Sequence, residues 1–195
     1  HDGILDVVFL TEGGAVNVYN TKTGNQLPGF PVSLPIKSNP KCPSPALADF
    51  NGDGKLEIVV AFNHANASQS QVLVLNWQGV VQPGWPIIAG GFTSESSPIV
   101  ADVSGDGVPD ILFGNEGGLL YGWTWTGQNV PGFPLTVGDF IRSVPTADDV
   151  DGDGGIDLVL MDWNKSLYIW DFAVPYNKAA AQWPMLKHDV QRTGL

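Results

Sequence analysis

Cysteine, basic residues and long apolar runs are all scarce in this 195-residue sequence. The single cysteine, Cys42, excludes an internal disulfide, and nothing beside it in the sequence would activate its thiolate. Nine Lys and Arg against 20 Asp and Glu give a formal net charge of −11, which argues against nucleic acid as a partner and suits cations. No stretch approaches the roughly 20 apolar residues of a membrane span, so we expect no membrane insertion.

Turn-forming residues are abundant instead. The 24 Gly and 15 Pro, with 43% hydrophobic residues, favour many short strands over long helices or disorder. The length suits one domain, because globular domains usually have about 100 to 200 residues. We therefore predict an all-β fold over residues 1–195.

Two short patterns recur along the chain. Small-residue segments that contain Pro45, Pro98 and Pro145 each precede an Asp- and Gly-rich loop, and their spacing gives a repeat of about 50 residues. A Pro-Gly-aromatic-Pro marker recurs once per repeat at 28–31, 83–86 and 131–134, and 182–184 is similar to a degenerate fourth copy. Two markers with one period indicate a true repeat.

Each repeat contains the pattern of four strands. A small-residue strand enters the Asp loop, an apolar strand follows it, and a strand rich in β-branched and aromatic residues comes third. The prolines of the marker fit only an edge strand, which would be the fourth. The predicted apolar strands are 56–62, 111–113 and 156–161, and the third strands are 71–77, 119–125 and 167–170.

These repeats predict a β-propeller of four-stranded blades. Ala48, Ala101 and Ala147 suit the crowded centre of such a ring, whereas the strict repeat disfavours a sandwich and its length disfavours a β-helix. Residues 3–8 match 54–59, so we expect the sequence to begin inside a blade and upstream blades or another chain to complete the propeller. The predicted blade units are approximately 1–35, 44–90, 97–138 and 143–187, with a closing tail at 188–195.

In each Asp loop, oxygen-bearing side chains occupy positions one, three, five and nine, and glycine occupies position six. EF-hand-type loops use this pattern, with a backbone carbonyl at position seven, to surround a hard cation. Oxygen ligands favour Ca²⁺, with Mg²⁺ or Mn²⁺ as alternatives, and argue against Zn²⁺. We predict about three Ca²⁺ sites, against the alternative of ordinary turns whose Asp and Asn bond to their own backbone. The predicted ligands are Asp49, Asn51, Asp53, Lys55 and Glu57; Asp102, Ser104, Asp106, Val108 and Asp110; and Asp149, Asp151, Asp153, Gly155 and Asp157, with Lys55, Val108 and Gly155 offering only their carbonyls.

The three loops differ in their oxygen ligands. Ser104 offers a neutral hydroxyl, so loop 102–110 should bind most weakly, and loop 149–157, with four aspartates, most tightly. Carboxylates crowded without metal repel one another, so bound metal should stabilise the fold. Affinities of roughly 10⁻⁴ to 10⁻³ M would suit an extracellular setting.

The loops and the apolar strands after them, at 49–60, 102–113 and 149–160, resemble the FG-GAP/VCBS repeat family. The resemblance implies calcium-binding propeller blades like those of integrin α subunits and many secreted bacterial proteins. The segment 183–194 is similar to the one with which bacterial members end their propeller. The literal Phe-Gly-Gly-Ala-Pro motif is lacking and Ser104 departs from the usual acid, so integrin-like detail is not implied.

Several residues outside the loops are candidates for ligand contact. Most of the seven Trp occupy repeated positions that suit packing between blades, but Trp123 and Trp163 lack equivalents in every repeat and are the better ligand candidates. The longer hairpin at 63–70 is a candidate partner contact. Asp148 would either lie near the axis as a general acid or ligand contact or be a surface acid, solvated or paired with Arg142.

The first functional hypothesis is a secreted, non-enzymatic propeller that is stabilised by Ca²⁺ and binds a protein or glycan in adhesion. The second is the propeller part of a secreted hydrolase or polysaccharide lyase, which should bring carboxylates, Arg or Lys together at one rim. The third is a self-assembling structural subunit that pairs through its open ends.

Overall fold

The computed structural model describes residues 5–36, 43–65, 69–93, 95–189 and 191. These residues form fourteen β-strands and no helix, which confirms the all-β prediction. Within this part of the chain there is consequently no helix with the length and apolar character to cross a membrane. Cys42 and residues 1–4 lie outside the described residues.

The strands form four antiparallel sheets in chain order, and each strand pairs with its sequence neighbour. The first sheet contains β1 (Asp6–Leu10), β2 (Ala15–Asn20) and β3 (Val32–Ser33). The second contains β4 (Ala46–Ala48), β5 (Glu57–Asn63), β6 (Ser70–Leu75) and β7 (Ile87–Ala89). The third contains β8 (Ile99–Ala101), β9 (Asp110–Gly114), β10 (Leu119–Thr124) and β11 (Leu135–Thr136). The fourth contains β12 (Thr146–Asp148), β13 (Gly155–Met161) and β14 (Leu167–Pro175).

Two of the three predicted apolar strands are buried on both faces, whereas the third, 156–161, is only partly buried, because Val159 is half-buried and Met161 is exposed. Every residue of β5 and of β9 is buried, which explains why these strands are almost continuously apolar rather than alternating. The sheets stack face to face, and two apolar cores fill the spaces between them. One core joins the first, second and third sheets, and the other joins the third and fourth.

The Pro-Gly-aromatic-Pro marker is a turn and not an edge strand, so that prediction is wrong in detail. The short edge strands β3, β7 and β11 begin after the second proline of each marker, where the backbone N–H groups needed for pairing return. In all three copies the aromatic-Pro peptide bond is cis: Phe30-Pro31, Trp85-Pro86 and Phe133-Pro134.

The glycine of the marker lets neighbouring sheets approach closely. Gly29 and Gly84 both have φ near +90°, and a Cβ at Gly29 would clash with the carbonyl oxygen of Gln78 in the second sheet. A Cβ at Gly84 would clash with the carbonyl oxygen of Thr126 in the third sheet. The repeated glycine thus permits a repeated contact between sheets.

A second contact between sheets also recurs. The hydroxyl of Tyr121 accepts a hydrogen bond from the backbone N–H of Gly90, at 2.9 Å, across the second and third sheets. The hydroxyl of Tyr168 accepts the equivalent bond from Gly138, at 2.8 Å, across the third and fourth. The second and third sheets are therefore related by a displacement similar to that between the third and fourth.

The C-terminal segment, residues 176–189, crosses the first strands of three sheets. The segment 182–184 is therefore not the edge strand of a fourth unit, as its likeness to the marker suggests. Trp183 pairs with Val100 of β8 through two backbone hydrogen bonds, of 2.7 and 3.1 Å, and the carbonyl of Pro184 accepts one from Ala147 of β12, at 2.9 Å. Beside β4, the side chain of Gln182 accepts a hydrogen bond from the backbone N–H of Asp49.

Candidate metal centre

The three Asp loops share one hydrogen-bonded framework around their first aspartate. Both oxygens of Asp49 accept backbone hydrogen bonds, from Gly52 to Oδ1 and from Gly54 to Oδ2, each at 2.8 Å. Asp102 accepts the same pair from Gly105 and Gly107, at 2.7 and 2.8 Å. Asp149 accepts it from Gly152 and Gly154, at 2.8 and 3.1 Å. The loop backbone therefore winds around this carboxylate in all three repeats.

Glycine at position six is needed for this winding. Gly54, Gly107 and Gly154 have φ of 80°, 85° and 90°, in the left-handed region that other residues rarely adopt. The left-handed residue turns the backbone N–H back toward the first aspartate. This geometry matches the role that the sequence pattern predicts for the sixth position.

The acid at position nine lies at the end of each loop, at or near the start of the second strand of the sheet. Glu57, Asp110 and Asp157 are buried, and each accepts a hydrogen bond from the backbone N–H at position two, at 3.2, 3.1 and 2.9 Å respectively. Burial raises the pKa of Glu57 and raises that of Asp110 to about 6, because a desolvated carboxylate resists ionisation. A bound cation would offset this desolvation.

The side chains at positions three and five lie at the open side of the loops. In the first and third loops these side chains are exposed, and each accepts a hydrogen bond from the backbone N–H two residues later in the sequence. They are Asn51 and Asp53 in the first loop, and Asp151 and Asp153 in the third. The Asx turns of the alternative reading are thus present. They do not exclude a metal, because a carboxylate or amide oxygen has a second lone pair.

The third loop brings three carboxylates together. One oxygen from each of Asp149, Asp151 and Asp153 lies within 4.8 Å of the other two. Ligands at 2.3 to 2.6 Å from a Ca²⁺ ion lie at most about 5 Å from one another, so these oxygens fit a single ion. Loop 49–57 has an amide at the third position of the same framework, and loop 102–110 has the hydroxyl of Ser104, which bonds to Asp102 at 3.3 Å.

Asp171 is a further acid beside the candidate site that the sequence pattern does not reveal. It lies on β14 directly opposite Asp157, at the same end of the sheet as the third loop. Its pKa is raised, first by the charge of Asp153, then by desolvation, and then by Asp157 and Asp151. Together with Asp153 and Gly155 it lines an open depression of about 450 Å³. Only strand pairing, and no sequence spacing, brings this fifth acid to the loop.

The other candidates separate clearly. Trp123 is only 2% exposed, between Trp85 edge-on and Tyr121 stacked, so it packs in the core and its selection as a ligand contact is wrong. Trp163 is 58% exposed and remains a candidate for ligand contact. Arg142 pairs with Glu116, and not with Asp148, through a bond of 2.8 Å. Hairpin 63–70 is described only in part, because residues 66–68 lie outside the described residues.

Asp148 faces a cavity of about 750 Å³ between the C-terminal segment and the first strands. It accepts a hydrogen bond from the hydroxyl of Tyr176, whose pKa is raised by burial first and then by the charge of Asp148. Lys178, His188 and Asp189 also line the cavity. Its described lining residues include no Ser, Thr or Cys, but they bring carboxylates and a lysine to one cavity, which is the kind of arrangement that the hydrolase or lyase hypothesis predicts.

Comparison with known proteins is decisive for the family. A profile of the FG-GAP-like repeat matches residues 1–60 and 49–113, which together exceed half of the 195 residues. The chain belongs to the FG-GAP-like repeat family. The matched FG-GAP-like regions include the first two complete Asp loops, and the framework of the third loop repeats theirs.

A solved structure shares the fold of this FG-GAP-like chain. The crystal structure of the V. cholerae biofilm matrix protein Bap1 matches with a TM-score of 0.56 and 23% identity, over 87% of this chain. The chain spans 28% of the length of that protein. No curated protein matches the sequence.

Proposed function

We propose that this chain is a Ca²⁺-stabilised, secreted and non-enzymatic module that presents its loops to a protein or glycan partner in adhesion. The observation that carries the proposal is the triply repeated loop framework, with the three carboxylates of the third loop within 4.8 Å of one another. Three acids held this close in the absence of a cation repel one another. A loop maintained in this form is best explained by an ion that it binds.

The side chains at positions one, three, five and nine, with the carbonyls at position seven, would hold Ca²⁺ in each loop. A bound Ca²⁺ supplies charge neutralisation and links the loop to the strand that follows it. The chain's own residues prepare the site: glycines at positions four and six turn the backbone, and the buried acid at position nine fixes the end of the loop. The metal's role is structural.

An extracellular setting follows from the expected affinity. Loops of this ligand type in extracellular modules bind Ca²⁺ at about 10⁻⁴ to 10⁻³ M, a concentration available outside cells. The similarity to a biofilm matrix protein supports this setting and an adhesive role. The charge of −11 also suits a molecule that works where divalent cations are plentiful.

We further propose that the four sheets are blades of a β-propeller. Equivalent hydrogen bonds accepted by the hydroxyls of Tyr121 and Tyr168 link successive sheets, and the C-terminal segment crosses β4, β8 and β12, as strands around one axis allow. The outer faces of the first and last sheets are exposed where equivalent faces are buried. Val7 is 47% exposed and its equivalent Ile58 only 3%, while Ile169 is 56% exposed and its equivalent Val74 is fully buried.

Further units of this kind, in the same polypeptide or in another chain, would cover the two end faces. The exposed face of the first sheet corresponds to the face that later sheets pack against their predecessor. The exposed face of the fourth corresponds to the one that earlier sheets pack against their successor. This complementarity favours head-to-tail self-assembly as a second candidate function, because a contact of that type repeats or closes into a ring.

Thermal unfolding with and without Ca²⁺ tests the proposal. In 2 mM Ca²⁺, about two to twenty times the expected dissociation constant, the melting temperature should exceed that in excess chelator by several degrees. Asp151→Asn should reduce this difference, whereas Glu12→Gln, at an exposed acid outside the loops, should leave it unchanged. Equal melting temperatures with Ca²⁺ and with chelator would contradict the metal assignment.

A further inference from the structure

Trp163 is held in an exposed position at the junction of the third and fourth sheets. It lies in the turn between β13 and β14, and its backbone N–H donates a hydrogen bond of 2.8 Å to the carbonyl of Phe140 in the preceding linker. Trp163 is 58% exposed and Phe140 45%. Two large aromatic side chains are therefore exposed on segments that this backbone hydrogen bond joins, at the end of the sheets opposite the Asp loops.

A cation fixes the indole of Trp163. The guanidinium carbon of Arg142 lies 4.4 Å from the centre of the indole and 5.9 Å from the ring of Phe140. Arg142 is fixed in turn, because its Nε donates to Oε1 of Glu116 at 2.8 Å. This chain of contacts limits the rotamers of Trp163 and covers one face of the indole, so less conformational entropy would be lost when a ligand meets the rest.

Core packing does not account for this arrangement. Trp85 and Trp123 are buried against neighbouring sheets, and Trp163 is not. Its recorded contacts are with Phe140 and Arg142 of the linker between the third and fourth sheets, whereas the exposed outer face of the fourth sheet is formed by Met161, Leu167 and Ile169.

Trp163, Phe140 and Arg142 together form an exposed platform whose chemistry favours an uncharged sugar ring as its ligand. An exposed aromatic face covers the C–H groups of a flat ring, and the guanidinium has N–H groups besides Nε that can donate to ring hydroxyls. Glu116 balances the positive charge of Arg142. Asp139 and Asp162 lie next to Phe140 and Trp163 in sequence, against one further cation, Lys165, and the whole chain carries a formal charge of −11. An anionic polysaccharide would meet repulsion here.

We propose that Trp163, Phe140 and Arg142, positioned by Glu116, form a binding site for a neutral polysaccharide. The proposal rests on the glycan-binding part of the proposed function and gives it a location and a ligand class. It assigns ligand binding to the hairpin end of the sheets and metal binding to the opposite end. The two roles can therefore be tested separately.

Affinity electrophoresis of the Ca²⁺-loaded chain tests the site. Native gels would contain a neutral β-glucan, galactomannan or glucomannan, with alginate as the acidic comparison. We expect retardation by at least one neutral polysaccharide, and Trp163→Ala should raise its dissociation constant roughly tenfold. Arg142→Ala should weaken binding less, because the indole remains but loses its support.

Trp77 provides a matched control. It is also exposed, at 43%, and also lies under a cation, with Nζ of Lys55 at 4.2 Å, but it belongs to the loop end of the second sheet. Trp77→Ala should leave retardation unchanged, and both variants should keep the melting temperature shift produced by Ca²⁺.

Three results would overturn the assignment: retardation unaffected by Trp163→Ala, retardation by alginate alone, or no retardation by any of the polysaccharides. None of these results bears on the metal proposal, which fails only if Ca²⁺ does not raise the melting temperature. Binding to a protein partner instead would leave the module's adhesive role standing while removing the glycan site.

Discussion

The side-chain oxygen of Gln182 accepts a hydrogen bond of 2.8 Å from the backbone N–H of Asp49, across 133 residues of sequence. Asp49 is the first residue of the first Asp loop, and its own carboxylate organises that loop. The backbone bonds of Trp183 and Pro184 to β8 and β12 place the same C-terminal segment beside the strands that enter the other two loops. The end of the chain thus contacts the strands leading into all three candidate metal sites.

Gln182→Ala should destabilise the first loop. Loss of the partner leaves the N–H of Asp49 without this bond, which should lower the free energy of unfolding by about 1 kcal/mol. The Ca²⁺ affinity of loop 49–57 should fall as well, because its first ligand is less well positioned. Chemical unfolding and calorimetric Ca²⁺ titration measure the two effects. Gln128→Ala, at an exposed turn, is the control; equal behaviour of the two variants would show that Gln182 has no positioning role.

Ser104→Asp should have opposite effects with and without metal. In chelator, a third carboxylate beside Asp102 and Asp106 adds repulsion and should lower the melting temperature. In Ca²⁺ it adds a charged ligand, so the middle loop should bind about tenfold more tightly or better. Melting curves in both conditions, with terbium luminescence as a probe of the loops, check the prediction. A fall in melting temperature of the same size in both conditions would contradict it.

The buried Asp110 should make the metal-free protein less stable as pH rises. Its folded pKa of about 6 lies above its ordinary value of 3.8, so the native state binds the proton more tightly than the unfolded state. The contribution of Asp110 to the free energy of unfolding therefore declines as pH rises from about 4 through about 6, by up to about 3 kcal/mol in total.

Asp110→Asn provides the comparison. The amide keeps an oxygen for the N–H groups of Val103 and Ser104 but does not ionise. In metal-free protein, the difference in unfolding free energy between variant and wild type should grow in favour of the variant between pH 4 and pH 7. A difference that stays constant with pH would show that Asp110 titrates normally.

Asp171→Asn should relieve repulsion at the third loop. The carboxylate of Asp171 opposes Asp157 and is affected most by Asp153, so its removal should raise the melting temperature in chelator. In Ca²⁺ the variant should bind the ion more weakly, because one of the surrounding negative charges is gone. The effect should shrink in 1 M NaCl, where charges at an exposed site are screened. Thr124→Ala, at the equivalent position of the third sheet, is the structural control.

Ile169→Lys should weaken self-association of the chain. Ile169 belongs to the exposed outer face of the fourth sheet, and a lysine there would place a charge in any contact with another unit. Sedimentation at increasing concentration should show association of the wild type, and a dissociation constant at least tenfold higher for the variant. Val80→Lys, at an exposed turn of the second sheet, should behave like the wild type. Identical behaviour of all three proteins would exclude this face as a contact.

Local sequence determined the strands and the loops. The apolar strand after each loop is predicted by its continuous hydrophobic run, because a strand covered on both faces needs no polar side. The candidate ligands at positions one to nine of each loop follow from spacing alone, since a loop this short fixes its own geometry through glycine and Asp. The loop of the third repeat, 149–157, is therefore as predictable as the loops matched by the family profile.

Tertiary structure decided what lies beside those loops and which residues reach the surface. Asp171 joins the third loop through strand pairing, and Gln182 reaches Asp49 across the chain, so no local pattern identifies either residue. Trp123 and Trp163 are indistinguishable by composition, yet one is buried by a neighbouring sheet and the other stays exposed. The reason is physical: side-chain spacing sets the conformation of a strand or a short loop, whereas burial and charge environment depend on which sheet packs against it.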